Sequence, residues 1–108
     1  MTVRIIYVSQ ASPTVGQVDV ERLVTLSSER NAFYGITGVL AFDGGRFVQI
    51  LEGPGSQVEN LYARIRADGR HEGVVTLAHD NIDAPHFPNW MMVRRAITDV
   101  LLLIDDLG

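Results

Sequence analysis

The sequence predicts an α+β domain in which two helices cover one face of a mixed sheet, and three observations carry that prediction. Runs rich in β-branched and aromatic residues recur at residues 3–9, 39–42, 46–51 and 74–78. Two stretches with apolar residues at three- and four-residue spacing, residues 17–31 and 56–68, separate the first run from the second and the third from the fourth. Asp43-Gly44-Gly45 joins the second run to the third with no room for a helix. The two periodicities therefore alternate in the order strand, helix, strand, strand, helix, strand.

Residues 3–9 give way to the turn-prone Ser12-Pro13-Thr14-Val15-Gly16, which ends the first strand. In the helix that follows, from Gln17 to Asn31, Val20, Leu23, Val24, Ser27 and Asn31 share one face, while Glu21, Arg22, Glu29 and Arg30 lie mostly elsewhere. Gly35-Ile36-Thr37-Gly38 returns the chain to a strand, and Asp43-Gly44-Gly45 is a strong hairpin signal before residues 46–51. Ser56 and Glu59 have the spacing of a capping box, and Val58, Leu61, Tyr62 and Ile65 form a stripe that stops at Asp68-Gly69. Residues 74–78 read as a fourth strand, 81–89 as a polar loop, and 90–97 as a fifth strand or extended segment. Residues 1–97 are expected to form one unit, followed by a short C-terminal tail over residues 98–108. The order βαββαβ plus a further strand favours a ferredoxin-like sheet with both helices on one face.

A length of 108 residues suits one domain and is too short for two. No apolar run is long enough to cross a bilayer, so no membrane association is expected. The start leads straight into a strand without a leader pattern, which makes the cytoplasm the expected location. With no cysteine there are no disulfides, thiolate catalysts or thiolate metal sites, and His71, His79 and His86 are too scattered to propose a metal site. A net charge of −4 argues against a nucleic-acid partner, because phosphate binding needs clustered positive charge.

Gln49 is the misfit in the apolar run Phe47-Val48-Gln49-Ile50-Leu51-Glu52-Gly53-Pro54. A buried amide costs about 1–3 kcal/mol unless its donors and acceptor are satisfied, so a neighbouring strand or a ligand must bind it. Tyr7 poses the same question on the first strand, which neighbours the third in the expected topology. Asn31 at the end of the first helix, and Arg64 and Asp68 one turn apart on the second, bring further polar groups towards the same space. Singly, each residue has a structural reading. Tyr7 and Trp90 suit packing, Gln49 a structural hydrogen bond, and Asn31 a helix end. Arg64 with Asp68 suits a surface ion pair, and Met91 and Met92 suit gap-filling.

As a set they carry a resemblance. Ile5-Ile6-Tyr7-Val8-Ser9, Asn31-x-x-x-Gly35-Ile36-Thr37-Gly38, Phe47 to Gly53, Arg64-Ile65-x-x-Asp68-x-Arg70-His71 and Trp90-x-Met92 together resemble the BLUF family of blue-light sensors using flavin, over residues 3 to 97. The resemblance implies bound FAD, with FMN as an alternative, its isoalloxazine lying between the two helices. It implies that Tyr7 is the photochemical electron donor and Gln49 the switching amide beside flavin N5 and O4. Asn31 is then the asparagine that hydrogen-bonds the carbonyl edge of the ring, and Arg64 and Asp68 are polar contacts to the ring and its surroundings. Arg70 and His71 lie near the ribityl or phosphate end, and Trp90 and Met92, on the last strand, rearrange around the glutamine. The chain departs from the family pattern at Arg30, where many relatives carry an uncharged polar residue or His. It departs again where His86 and Pro88 flank Phe87 in a region that is often more basic, and in its short tail.

The implied function is a blue-light photoreceptor, not an enzyme, in which a stronger hydrogen bond at flavin O4 shifts absorption to the red and alters the last strand. The alternative is a photochemically silent flavin-binding or oligomerisation module. An acylphosphatase-like hydrolase would need a phosphate-cradling loop after the first strand, and Gln10-Ala11-Ser12-Pro13 is not glycine-rich. A flavin reductase would need a dinucleotide fingerprint, which the sequence lacks. The apolar Val100-Leu101-Leu102-Leu103-Ile104 is expected to pack on the sheet or against another subunit, giving a homodimer or higher homo-oligomer. A downstream protein effector is expected, and the sequence does not name it.

Overall fold

The computed structural model describes residues 1–87 and 89–107, so Pro88 and Gly108 lie outside the described residues. The elements are β1 (Thr2–Ala11), α1 (Gln17–Tyr34), β2 (Thr37–Asp43), β3 (Arg46–Pro54), α2 (Gly55–Ala67), β4 (His71–Ile82), β5 (Val93–Arg94) and α3 (Ile97–Leu107). The five-stranded sheet has the order β4-β1-β3-β2-β5. The neighbouring pairs β4–β1, β1–β3 and β3–β2 are antiparallel, and β5 runs parallel to β2. This is the expected ferredoxin-like βαββαβ core with a fifth strand added at the β2 edge.

Alternation along β1 explains how one sheet carries two cores. Val3, Ile5 and Tyr7 face Val20 of α1 and Val58, Leu61 and Tyr62 of α2. Ile6 turns the other way and packs with Val39, Val48, Ile50 and Val100. With both faces covered, β3 is buried from Phe47 to Gly53 and reads as a continuous apolar run. The hairpin between β2 and β3 turns through Gly44 and Gly45 at φ 57° and 73°, the positive pair that a two-residue turn needs.

Several elements differ from the sequence expectation, each for a physical reason. α1 runs one turn further, to Tyr34, because its last turn is exposed and leaves no apolar stripe to follow. The capping box does not form. β3 runs directly into α2 with Pro54 at the cap, which places Ser56 inside the first turn, and Glu59 instead meets His79 at 3.0 Å. β4 extends well beyond residues 74–78 in both directions, since an exposed edge strand can pair along its length without an alternating pattern. The fifth strand shrinks to Val93 and Arg94, so Trp90 and Met92 precede it rather than lie on it. The segment expected as a tail over residues 98–108 instead forms, together with Ile97, the helix α3 (Ile97–Leu107) on the face opposite the other helices. Ile97, Val100, Leu103, Ile104 and Leu107 pack there at helical spacing, which the unbroken run from Val100 to Ile104 disguises.

Gly38 on β2 shows how closely the strands approach at the edge that receives β5. A Cβ there would lie 2.5 Å from the Ile50 carbonyl oxygen, a backbone atom that cannot rotate away. Gly38→Ala is expected to destabilise the fold by about 3 kcal/mol, since the strand itself must shift. A urea midpoint equal to that of the wild type would contradict this.

Candidate functional site

The register of β1 and β3 places Tyr7 opposite Gln49, and both side chains face the helices. The Tyr7 hydroxyl donates to Gln49 Oε1, and Gln49 Nε2 donates to Met92 Sδ at 3.5 Å. One amide thus bridges a phenol and a thioether, its acceptor end on the strong partner and its donor end on a weak one. Burial pushes the Tyr7 phenol well above its ordinary value, and the neighbouring Tyr62 and Asp68 reinforce the shift. Tyr7 is therefore a protonated donor across the physiological range.

Above this pair lies a cleft between α1 and α2, lined among others by Ser27, Arg30, Arg64, Asp68, Arg70 and His71. Its enclosed part is about 60 Å³, below the roughly 300 Å³ at which small-molecule sites begin. A fused-ring ligand needs more room than this, and the long side chains of Arg30 and Arg64 are among those that line the cleft. Asn31, next to the lining residue Arg30, is fully buried. Its Nδ2 donates to the Met91 carbonyl at 2.7 Å, while its Oδ1 has no partner among the described residues. Arg30 Nε is likewise buried without a partner among them. Leaving such groups unmade costs about 1–3 kcal/mol each, so an orphaned acceptor and an orphaned donor on adjacent residues make this a candidate place for a polar ligand.

The BLUF family, described as sensors of blue-light using FAD, matches this chain over residues 2–93. The chain belongs to the BLUF family. It is 37% identical over 95 residues to the beta subunit of photoactivated adenylate cyclase from Euglena longa, a match covering 88% of this chain and 11% of that protein. The chain therefore spans about a tenth of that relative's length. Among solved structures, the BLUF protein BlrB in its dark state superposes with a TM-score of 0.84 at 33% identity, covering 98% of this chain and 80% of BlrB. BlrP1 from Klebsiella pneumoniae, solved with FMN and cyclic diGMP, superposes with a TM-score of 0.84 at 36% identity, covering 98% of this chain and 30% of that one. Among the described residues no helix is long and apolar enough to cross a membrane.

Of the residues that the BLUF resemblance singles out, the structure brings Tyr7, Gln49, Asn31, Met92, Arg64, Asp68, Arg70 and His71 around one cleft or its wall. Trp90 is elsewhere. It stacks on Phe87 at 5.2 Å under the opposite face of the sheet, with the Arg95 guanidinium over its ring at 5.1 Å. The surface pair Arg64 with Asp68 does not form, because Asp68 is held by Arg70 instead, at 2.6 Å from Nη2 and 2.9 Å from its backbone amide. That contact pulls the Asp68 carboxyl down to about 2, its hydrogen bonds from Arg70 outweighing the opposing effect of burial. Burial lowers the Arg30 guanidinium below its ordinary value, and Arg64 and Arg70 add to the shift. Guanidiniums thus outnumber carboxylates in the cleft of a BLUF chain whose net charge is −4, an environment that suits a phosphorylated flavin.

The residues present fit such a group. Ser9, two positions after Tyr7 and so on the same face, supports the lining residue His71. Ser9 Oγ is 2.8 Å from His71 Nδ1, and Phe47 packs against the imidazole at 4.8 Å. Burial pushes the His71 pKa below 6.5, a shift that Asp68 opposes and Arg70 reinforces. The unfolded chain then takes up a proton that the folded protein refuses, so stability falls as pH drops below 6.5. Comparing urea unfolding at about pH 7.5 and about pH 5.5, the loss is expected to be smaller in His71→Asn than in the wild type. Equal losses would assign the effect to other groups.

Proposed function

We propose that this BLUF chain is a blue-light photoreceptor domain in which Tyr7 and Gln49 form the switch and the Met92 segment carries the change outward. The observation that supports this reading best is the single amide suspended between a strong and a weak partner at the floor of a cleft with orphaned polar groups. Bound in that cleft, FAD supplies a ring that absorbs blue light and, once excited, accepts an electron from a nearby phenol.

The protein's own residues do the rest. Tyr7 is protonated, and a phenol that gives up an electron becomes a strong acid, so its proton has Gln49 Oε1 as the acceptor already in place. An amide has a donor end and an acceptor end, so rotation or tautomerisation exchanges which neighbour receives its N–H. The bond to Met92 Sδ is the weaker of the two that Gln49 makes and is the one that yields. Asn31 Oδ1 is an acceptor for a ring N–H beside the carbonyl edge, while its Nδ2 already holds the Met91 carbonyl. Arg64 and Asp68 would border the ring, and Arg70, oriented by Asp68, would together with His71 hold the ribityl and phosphate end.

Output in this reading passes from Met92 to Trp90 and the α3 face, and from there to a protein effector in the cytoplasm. The exposed Leu101 and Leu102 on α3, and Val75 on β4, suit a second copy of the chain. A homodimer or higher homo-oligomer is expected by sedimentation at high micromolar concentration, and a monomer there would count against it.

The reading is tested by the visible spectrum of purified protein before and after blue illumination. A flavin spectrum that moves slightly to the red and returns in the dark supports the photoreceptor. Bound flavin with no shift would leave a photochemically silent module, and a colourless protein that takes up neither FAD nor FMN would remove the flavin site.

A further inference from the structure

Glu52 lies on β3 three residues beyond Gln49 and on the opposite face, and it is fully buried. A carboxylate there is tolerated only if every part of it is satisfied. Its two oxygens divide the work. Oε2 accepts from Arg4 Nε at 2.8 Å, and Oε1 accepts from the backbone amides of His86 at 2.6 Å and Phe87 at 3.2 Å. After β4 the chain crosses under the sheet to reach the β2 edge, and its amides need partners where the sheet offers only side chains. Glu52 provides them at the start of that crossing.

From there the crossing segment is tied at successive points. Phe87 stacks on Trp90 and its carbonyl accepts from the Trp90 amide at 3.2 Å. The Gly38 amide donates to the Trp90 carbonyl at 2.7 Å, and Asn31 Nδ2 to that of Met91. Last comes Met92, held to Gln49 only through its sulfur. The segment is thus fixed by a charge at one end and by the β5 pairing of Val93 and Arg94 at the other, with the Met92 thioether as its contact to Gln49.

We propose that Glu52 is a positioning residue, the fixed post from which the Trp90 segment pivots when Gln49 releases Met92. This rests on the photoreceptor reading above. With residues 86 and 87 clamped, displacement at Met92 is delivered to Trp90 rather than spread along the loop. A glutamine at position 52 keeps the size of the side chain but turns an N–H₂ towards Arg4 and leaves a neutral oxygen in place of a charged one for the two amides, which weakens the clamped end.

Trp90 is the sole tryptophan, so a single indole N–H resonance of the flavin-loaded protein reports on the segment in the dark and under blue light. In the wild type the resonance is expected to move on illumination together with the red shift of the flavin. In Glu52→Gln the red shift is expected to persist while the indole movement falls to less than half. Arg4→Met keeps both amide contacts and is expected to retain the indole movement despite a lower melting temperature. An unchanged indole movement in Glu52→Gln, or its equal loss in Arg4→Met, would overturn the proposal. Should Glu52→Gln fail to fold, hydrogen exchange in the wild type decides. The His86 and Phe87 amides are expected to stay protected in the light, and their opening along with that of Trp90 would overturn the post. A wild type with bound flavin and no red shift removes the photoreceptor reading itself, and this inference with it.

Discussion

Gln49→Leu is expected to bind flavin and to lose the light-induced red shift entirely. Leucine fits a strand buried on both faces, so the sheet and the Tyr7 register survive the change. It removes the only group that joins the Tyr7 hydroxyl to Met92 Sδ, and no other side chain bridges them among the described residues. The phenol loses its acceptor at a cost of about 1–3 kcal/mol, which the gain in buried apolar surface partly offsets, so the folded protein remains available for spectroscopy. Absorption before and after illumination reads the outcome. A shift of wild-type size in this variant would mean that the hydrogen bonding changes at another residue.

Tyr7→Phe is expected to abolish the same shift by a different route and to raise flavin fluorescence, because the electron donor of the proposed mechanism is gone. Phenylalanine retains the ring that packs 5.4 Å from Tyr62, and stability should fall by only about 1 kcal/mol for the lost hydrogen bond. Tyr62 is the next phenol, yet its hydroxyl meets Thr76 Oγ1 and not Gln49, so it cannot hand a proton to the switch. Trp90 is no substitute either, since it lies under the other face of the sheet. Time-resolved fluorescence separates the possibilities. A flavin lifetime as short as in the wild type would show that another residue quenches it.

Much of this arrangement is legible from sequence because local chemistry and long-range pairing agree. Gly44 and Gly45 need positive φ, which sets the β2–β3 hairpin. The topology makes β1 the neighbour of β3, which brings Tyr7 to Gln49. What the sequence hides is mostly a matter of exposure and competition. α3 is disguised by consecutive apolar residues, and β4 by an open edge that imposes no alternation. The expected partnership of Arg64 with Asp68 gives way to Arg70, two residues along, whose backbone amide and guanidinium reach one carboxylate together. Trp90 changes face because only Val93 and Arg94 pair as a strand, leaving the preceding residues to follow the crossing segment. Glu52 was visible as a charged residue in an apolar run, the same kind of misfit as Gln49, but its partners come from backbone amides at positions 86 and 87 that no side-chain pattern announces.

The claim at the centre of this account is that the Gln49 amide changes partners under light. It is tested most directly by the light-minus-dark infrared spectrum of flavin-loaded protein carrying isotope-labelled glutamine side chains. Label-sensitive amide bands are expected to appear on illumination, to decay with the flavin red shift in the dark, and to be missing from Gln49→Leu. A wild-type protein that shows the red shift with no label-sensitive band would contradict it.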